Sequence, residues 1–327
     1  MSNSTSERTA VSMVRGGFWL LVWPVWKREA GRLRAPLRAV LPLLVTFFGF
    51  FPIQEAVRGR FEQKAVVGSL EATGLLAVLL LAIFISSRLF DRRPIREYGF
   101  SFDREWLRSF AVGGAIATLV NAGTLVVALA AGWATVSGFT GGNGPLPFLP
   151  AVLVVFAYIA VAASWEEFFM RGGMLKNLAE GADGYLPRSI AVVLALVLSS
   201  AVFAFLHSGK LTHPSQAVYY LVAGLVLGTV YVLSGELALP IGFHVFYNFT
   251  MATVFGLGVS QDSPAVILLN TTGPAFWIGE EGLARVVFAI VGGGLMIGYI
   301  YWRDGELGFN DRITQWTPRT SQSGGDR

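Results

Sequence analysis

Residues 109–165 form a run of 57 residues without a single Asp, Glu, Lys or Arg. No soluble surface can be built from such a run, because globular domains carry about 25% charged residues. The bias extends along the chain of 327 residues, which is 54% hydrophobic and 14% charged. A bilayer core of about 30 Å needs about 20 helical residues to cross it. Eight apolar segments are long enough, at roughly 37–55, 72–90, 109–131, 148–170, 188–207, 216–234, 237–257 and 283–302. Backbone polar groups inside hydrocarbon must pair within the protein, and apolar segments of this length do so as helices. The expected fold is therefore all-α, a polytopic membrane helical bundle of about eight transmembrane helices.

One membrane-embedded domain over 37–302 accounts for most of the chain. Ahead of it, residues 1–36 read as a basic leader whose short apolar patch, 18–26, suits the membrane interface through its tryptophans. Residues 303–327 read as a polar cytoplasmic tail without fixed structure. The stretch 264–278 is interrupted by Asn270, Thr271, Thr272, Gly273 and Pro274 and reads as a loop or re-entrant piece. With an inside N-terminus, twenty of the 25 Lys and Arg residues fall on the inside. The positive-inside rule then places both termini in the cytoplasm. Two small-residue patterns, Gly224 with Gly228 and Gly294 with Gly298, read as close helix contacts within the bundle.

Composition also removes whole classes of chemistry. The chain has no cysteine, which excludes disulfides, thiolate metal sites and a cysteine nucleophile. The net charge of +4 is small and its basic residues are dispersed, so nucleic acid is not an expected partner. The partners to expect are the lipid bilayer and a membrane-associated peptide or protein.

Against that apolar background the stretch 164–171 stands out, with Glu166, Glu167 and Arg171 inside or at the end of a span. A carboxylate in hydrocarbon is costly and marks a wet cavity or a functional site. Only three histidines occur in the chain; His207 and His244 lie in apolar segments, and His213 lies in a loop. Residues four apart share a helix face, so Glu167 pairs with Arg171, Phe203 lies alongside His207, and His244 points the same way as Asn248. Glu166, turned about 100° from Glu167, is left for the cavity.

A carboxylate, two imidazoles and an amide can polarise a water for attack on a carbonyl. Glu166 would be the base, with Asn248 and one imidazole as donors to the oxyanion. Glu166, His207 and His244 could equally bind zinc or another divalent metal, since their oxygen and nitrogen atoms are ordinary zinc ligands. For His207 to meet Glu166, the fourth segment must continue past Arg171, so one long helix over 148–178 is expected.

Glu-Glu-x-x-x-Arg at 166–171, Phe-x-x-x-His at 203–207 and His-x-x-x-Asn at 244–248 follow one another on successive apolar segments. In that order they resemble the CPBP family of intramembrane proteases, which includes type II CAAX prenyl endopeptidases and bacteriocin-processing or self-immunity proteins. The resemblance covers about 150–255. It implies an eight-span helical fold and an endopeptidase that hydrolyses a peptide bond at the membrane. It also implies that Glu166 activates water, that Glu167 orients a neighbour, and that Arg171 supports the helix. His207, His244 and Asn248 would be water or metal ligands and oxyanion donors. The missing cysteine and compact loops fit a bacterial inner membrane. Two other functions remain open at this point: a non-catalytic scaffold or immunity protein of the same fold, and a proton-coupled transporter using the glutamates.

Overall fold

The computed structural model describes residues 25–142, 144, 146–210, 214–258, 263–278 and 282–318. Most of the 18–26 patch and all of His213 lie outside them. A two-residue hairpin, β1 (Trp26–Lys27) with β2 (Arg32–Leu33), precedes the first span. Among the described residues eight longer helices follow. They are α1 (Ala35–Arg58), α2 (Lys64–Ile85), α3 (Arg104–Ala130), α4 (Phe148–Ala182), α5 (Arg188–Leu206), α6 (Pro214–Ser234), α7 (Ala238–Phe249) and α8 (Leu283–Asp304).

Seven of the eight are long and apolar enough to cross a membrane, which makes the chain an integral membrane protein of polytopic, all-α architecture. The exception is α7. The segment 237–257 begins as a 12-residue helix and ends in a single π turn, Thr250–Val254. It is wrapped by its neighbours: every residue from Ala238 to Phe243 is buried.

The stretch at 265–271 is neither loop nor re-entrant helix. It is a strand, β4 (Ala265–Thr271), paired antiparallel with β3 (Ala134–Gly141) from the α3–α4 connection. Both segments are too short to span lipid and are rich in β-branched residues (Val266, Ile267 and Thr271; Thr135, Val136 and Thr140), so backbone pairing outside the helices satisfies both.

Close backbone approach fixes α7 against α3. A Cβ on Gly113 would fall on the Leu239 carbonyl oxygen, and one on Gly242 on the Phe110 carbonyl oxygen. Glycine is what lets two helices cross this closely. Gly224 and Gly228 act in the same way between α6 and α5, where added Cβ atoms would meet Ser200 and Leu196. Gly294 and Gly298 do not. Nothing lies within 4 Å of a Cβ built on either, because that face of α8 is turned away from the bundle, and the expected internal contact is absent there.

At the other end of α4 sits a buried ionic knot. Glu180 accepts from Arg38 at 3.0 Å and from Arg93 at 2.5 Å, and also pairs with Arg32. Asn177 accepts from Arg93 at 2.9 Å, while Tyr98 donates to Asp91 at 2.5 Å. The described part of the tail lies over this knot: Trp316 donates its indole N–H to the Asp91 carbonyl at 3.0 Å, and Ile313 is fully buried. Both described ends of the chain therefore sit at one end of the bundle, opposite the β3–β4 ribbon.

Candidate active site

The glutamate pair lies in the interior of α4, where Glu166 is the nineteenth of 35 residues. The helix runs unbroken through Phe148–Ala182, four residues beyond the expected end. Directly after Glu167 it widens into a π-helix over Phe168–Leu175, all eight residues of which are buried. Single π turns inside α-helices often occur at functional sites, since they re-aim side chains.

Glu167 is fully buried and shares one oxygen between two partners. Its Oε1 accepts from Arg171 Nη1 at 3.0 Å and lies 2.8 Å from His244 Nδ1. Arg171 also donates to the Gly224 carbonyl at 3.3 Å and stacks over the Phe203 ring at 4.9 Å. The expected pairing of Glu167 with Arg171, and the place of Phe203 beside His207 at 4.5 Å between ring centroids, are both present. Gly224 and Tyr220 complete the surroundings. Tyr220 stacks on His207 at 4.3 Å. Neither belongs to a motif, and from sequence Gly224 reads as a helix contact only. Their spacing on α6, four residues apart and facing the motif helix, was the available signal.

Glu166 is partly open, its side chain 23% exposed. Its Oε2 lies 3.9 Å from His207 Nε2 and 3.8 Å from His244 Nε2. Three segments far apart in the chain thus bring Glu166, Glu167, Arg171, His207 and His244 into one cluster. Asn248 is half-buried, one turn beyond His244 on α7.

The ring protons can be assigned from their partners. His207 Nδ1 faces the Phe203 carbonyl oxygen at 2.8 Å. A carbonyl only accepts, so Nδ1 carries the proton. His244 Nδ1 faces a carboxylate oxygen and carries its proton for the same reason. In the neutral form of each ring Nε2 carries a lone pair, and both Nε2 atoms lie within 4 Å of Glu166 Oε2. That oxygen is itself buried without a hydrogen-bond partner. Gaps of 3.8 and 3.9 Å exceed a direct hydrogen bond, and such gaps suit a bridging water.

The donor types also fit a divalent metal, but their spacing is wider than a closed ligand set. Among the described residues no group of three or more His, Cys, Asp or Glu is arranged to hold a metal ion.

Compared with known proteins, residues 147–250 match the family model described as type II CAAX prenyl endopeptidase Rce1-like. The matched stretch contains all three motifs, and it supports the resemblance to the CPBP family drawn from them. No curated protein and no solved structure matches the chain.

Proposed function

We propose, from an Rce1-like domain whose matched residues carry the glutamate pair and both histidines, that the protein is an intramembrane endopeptidase. Its substrate is a peptide held at the membrane, and its nucleophile is a water activated by Glu166. The observation that carries this reading is the convergence of three acceptors, Glu166 Oε2 and two Nε2 atoms, on one water-sized gap. A water there donates its protons to two acceptors and keeps a lone pair for attack on the scissile carbonyl. Glu166 takes a proton as the C–O bond forms and returns it to the leaving amine nitrogen as the C–N bond breaks.

Glu167 has a different task. Held by Arg171, it fixes the His244 ring and the nitrogen that bears the proton. The imidazoles present lone pairs to the water, so donation to the oxyanion falls to Asn248, one turn further along α7. This narrows the role the sequence left shared between Asn248 and a histidine.

A second reading keeps the same residues. Three converging lone pairs are also what a divalent ion such as zinc asks for, and Glu166, His207 and His244 would hold it if they drew together. Such an ion supplies Lewis acidity and lowers the pKa of a bound water. Equilibrium dialysis with zinc tests it without an activity assay: His207→Ala and His244→Ala should each bind zinc more weakly than the wild-type protein. Wild-type protein that takes up no zinc refutes the metal form.

The test of the hydrolytic reading uses purified wild type and Glu166→Gln with a quenched peptide library. General-base removal should lower cleavage about 10²- to 10⁴-fold. Unchanged cleavage by Glu166→Gln excludes Glu166 as the base. No cleavage by the wild type favours the scaffold or transporter.

A further inference from the structure

Among the described residues two buried carboxylates, Asp91 and Glu71, lie outside the cluster and outside the family-matched residues, and Asp91 belongs to the ionic knot. Glu71, in the first half of α2, is 4% exposed. It is held by Arg58 at the far end of α1, at 2.6 Å from Nε and 3.4 Å from Nη2. Arg58 itself is 61% exposed, so the pair joins the protein interior to the medium at the end of the bundle away from the ionic knot.

The pair also points along α4. A Cβ on Gly68 would meet Val154 at 3.4 Å, and α2 and α4 run in the same direction, so one turn on Glu71 comes level with Tyr158. Tyr158 lies close enough to feel the charges of Glu71, Arg58 and Glu166. On α4, Tyr158, Ala162 and Glu166 stand at successive four-residue steps and form one ridge. All three are partly accessible, whereas Ile159, Ala163 and Glu167 beside them are buried. Ala162, with only a methyl group, leaves a notch between the tyrosine and the glutamate.

A polar group in a span that faces neither a partner bundle nor water is costly, and such groups usually line a wet cavity. We propose that Arg58, Glu71 and Tyr158 form the mouth of a water-filled cleft along the Tyr158–Ala162–Glu166 ridge, which brings water to Glu166. The use of that water in hydrolysis rests on the peptidase reading above; its presence does not.

The absence of native cysteine makes the test direct. Single cysteines are introduced as Tyr158→Cys, Ala162→Cys and Leu153→Cys, the last on the 59% exposed outer face of α4. Reconstituted vesicles receive a charged methanethiosulfonate on both faces. Only a thiolate reacts, and a thiol in hydrocarbon stays protonated. Labelling at 158 and 162 should exceed that at 153 by at least about tenfold. Adding Glu71→Gln to Ala162→Cys should slow labelling at 162, and Glu71→Asp should restore it. Equal labelling at 162 and 153 overturns the cleft, even if the protein cleaves peptide. Selective labelling at 162 upholds the cleft even if the wild type cleaves nothing, in which case the peptidase reading falls alone.

Discussion

Replacing Glu167 by glutamine removes the carboxylate charge that the guanidinium of Arg171 faces at 3.0 Å. At an effective dielectric of about 20, two charges at that separation attract by roughly 5 kcal/mol. Burying both costs several kcal/mol per ion, so the intact pair adds little net stability. The asymmetry is what matters. Glu167→Gln leaves a guanidinium that is 1% exposed without its counter-charge, and breaking one side of a buried pair costs about 3–5 kcal/mol. Arg171→Met should cost less, because His244 still shares the Glu167 oxygen and can take up a proton to neutralise it. The double variant Glu167→Gln/Arg171→Met should recover much of the loss, since a neutral pair of similar volume replaces the ions. Unfolding in detergent, followed for the four proteins as a double-mutant cycle, gives the coupling. Cleavage separates the two roles of Glu167. The double variant regains stability but not activity, because nothing then orients His244; loss of such an orienting partner costs about 10–100-fold. Additive stabilities, or full activity in the double variant, would refute the division of labour between the two glutamates.

The ionic knot is expected to behave as one unit: Glu180→Gln removes the carboxylate shared by Arg32, Arg38 and Arg93, leaves Asp91 to face the last two, and should destabilise by about 3–5 kcal/mol in the same unfolding assay. Gly242→Val places side-chain atoms on the Phe110 carbonyl, which must push α7 off α3. A displacement of about 1 Å at His244 should lower kcat about 10²-fold, read by peptide cleavage on protein that still elutes as a folded species. Gly294→Leu and Gly298→Leu face open space and should change stability by no more than about 0.5 kcal/mol; a larger loss would mean the outer face of α8 is packed.

Hydropathy was sufficient for the helices because a span has to be apolar along its whole length. It failed at 237–257 for the opposite reason: α7 is apolar because the protein surrounds it, and a buried core helix and a lipid-spanning one share a composition. Residues 265–271 were ambiguous in the same way. Nothing local to Ala265–Thr271 shows that its partner lies 130 residues earlier, at Ala134–Gly141. The tail was misread through its polarity. Trp316 and Ile313 are two apolar side chains in a hydrophilic stretch, and they fasten it beneath α4.

The cluster was more legible than the ribbon because its geometry is mostly local. Four-residue steps alone place Glu167 with Arg171, and Phe203 with His207, on common faces, and the structure keeps both pairs. What spacing could not give was depth. Simple spans would put His207 and Glu166 at different levels, and only the continuation of α4 to Ala182 sets the glutamates in mid-helix. That continuation requires its far end to be held in place, and the side chains that hold it are Arg32, Arg38 and Arg93 around Glu180. None of them lies in a motif, and Arg93 is more than 50 residues from the first of them. The position of the candidate base therefore depends on a knot of charges at the C-terminal end of its own helix. Loosening the knot should shift Glu166 relative to both imidazoles without touching any residue of the site.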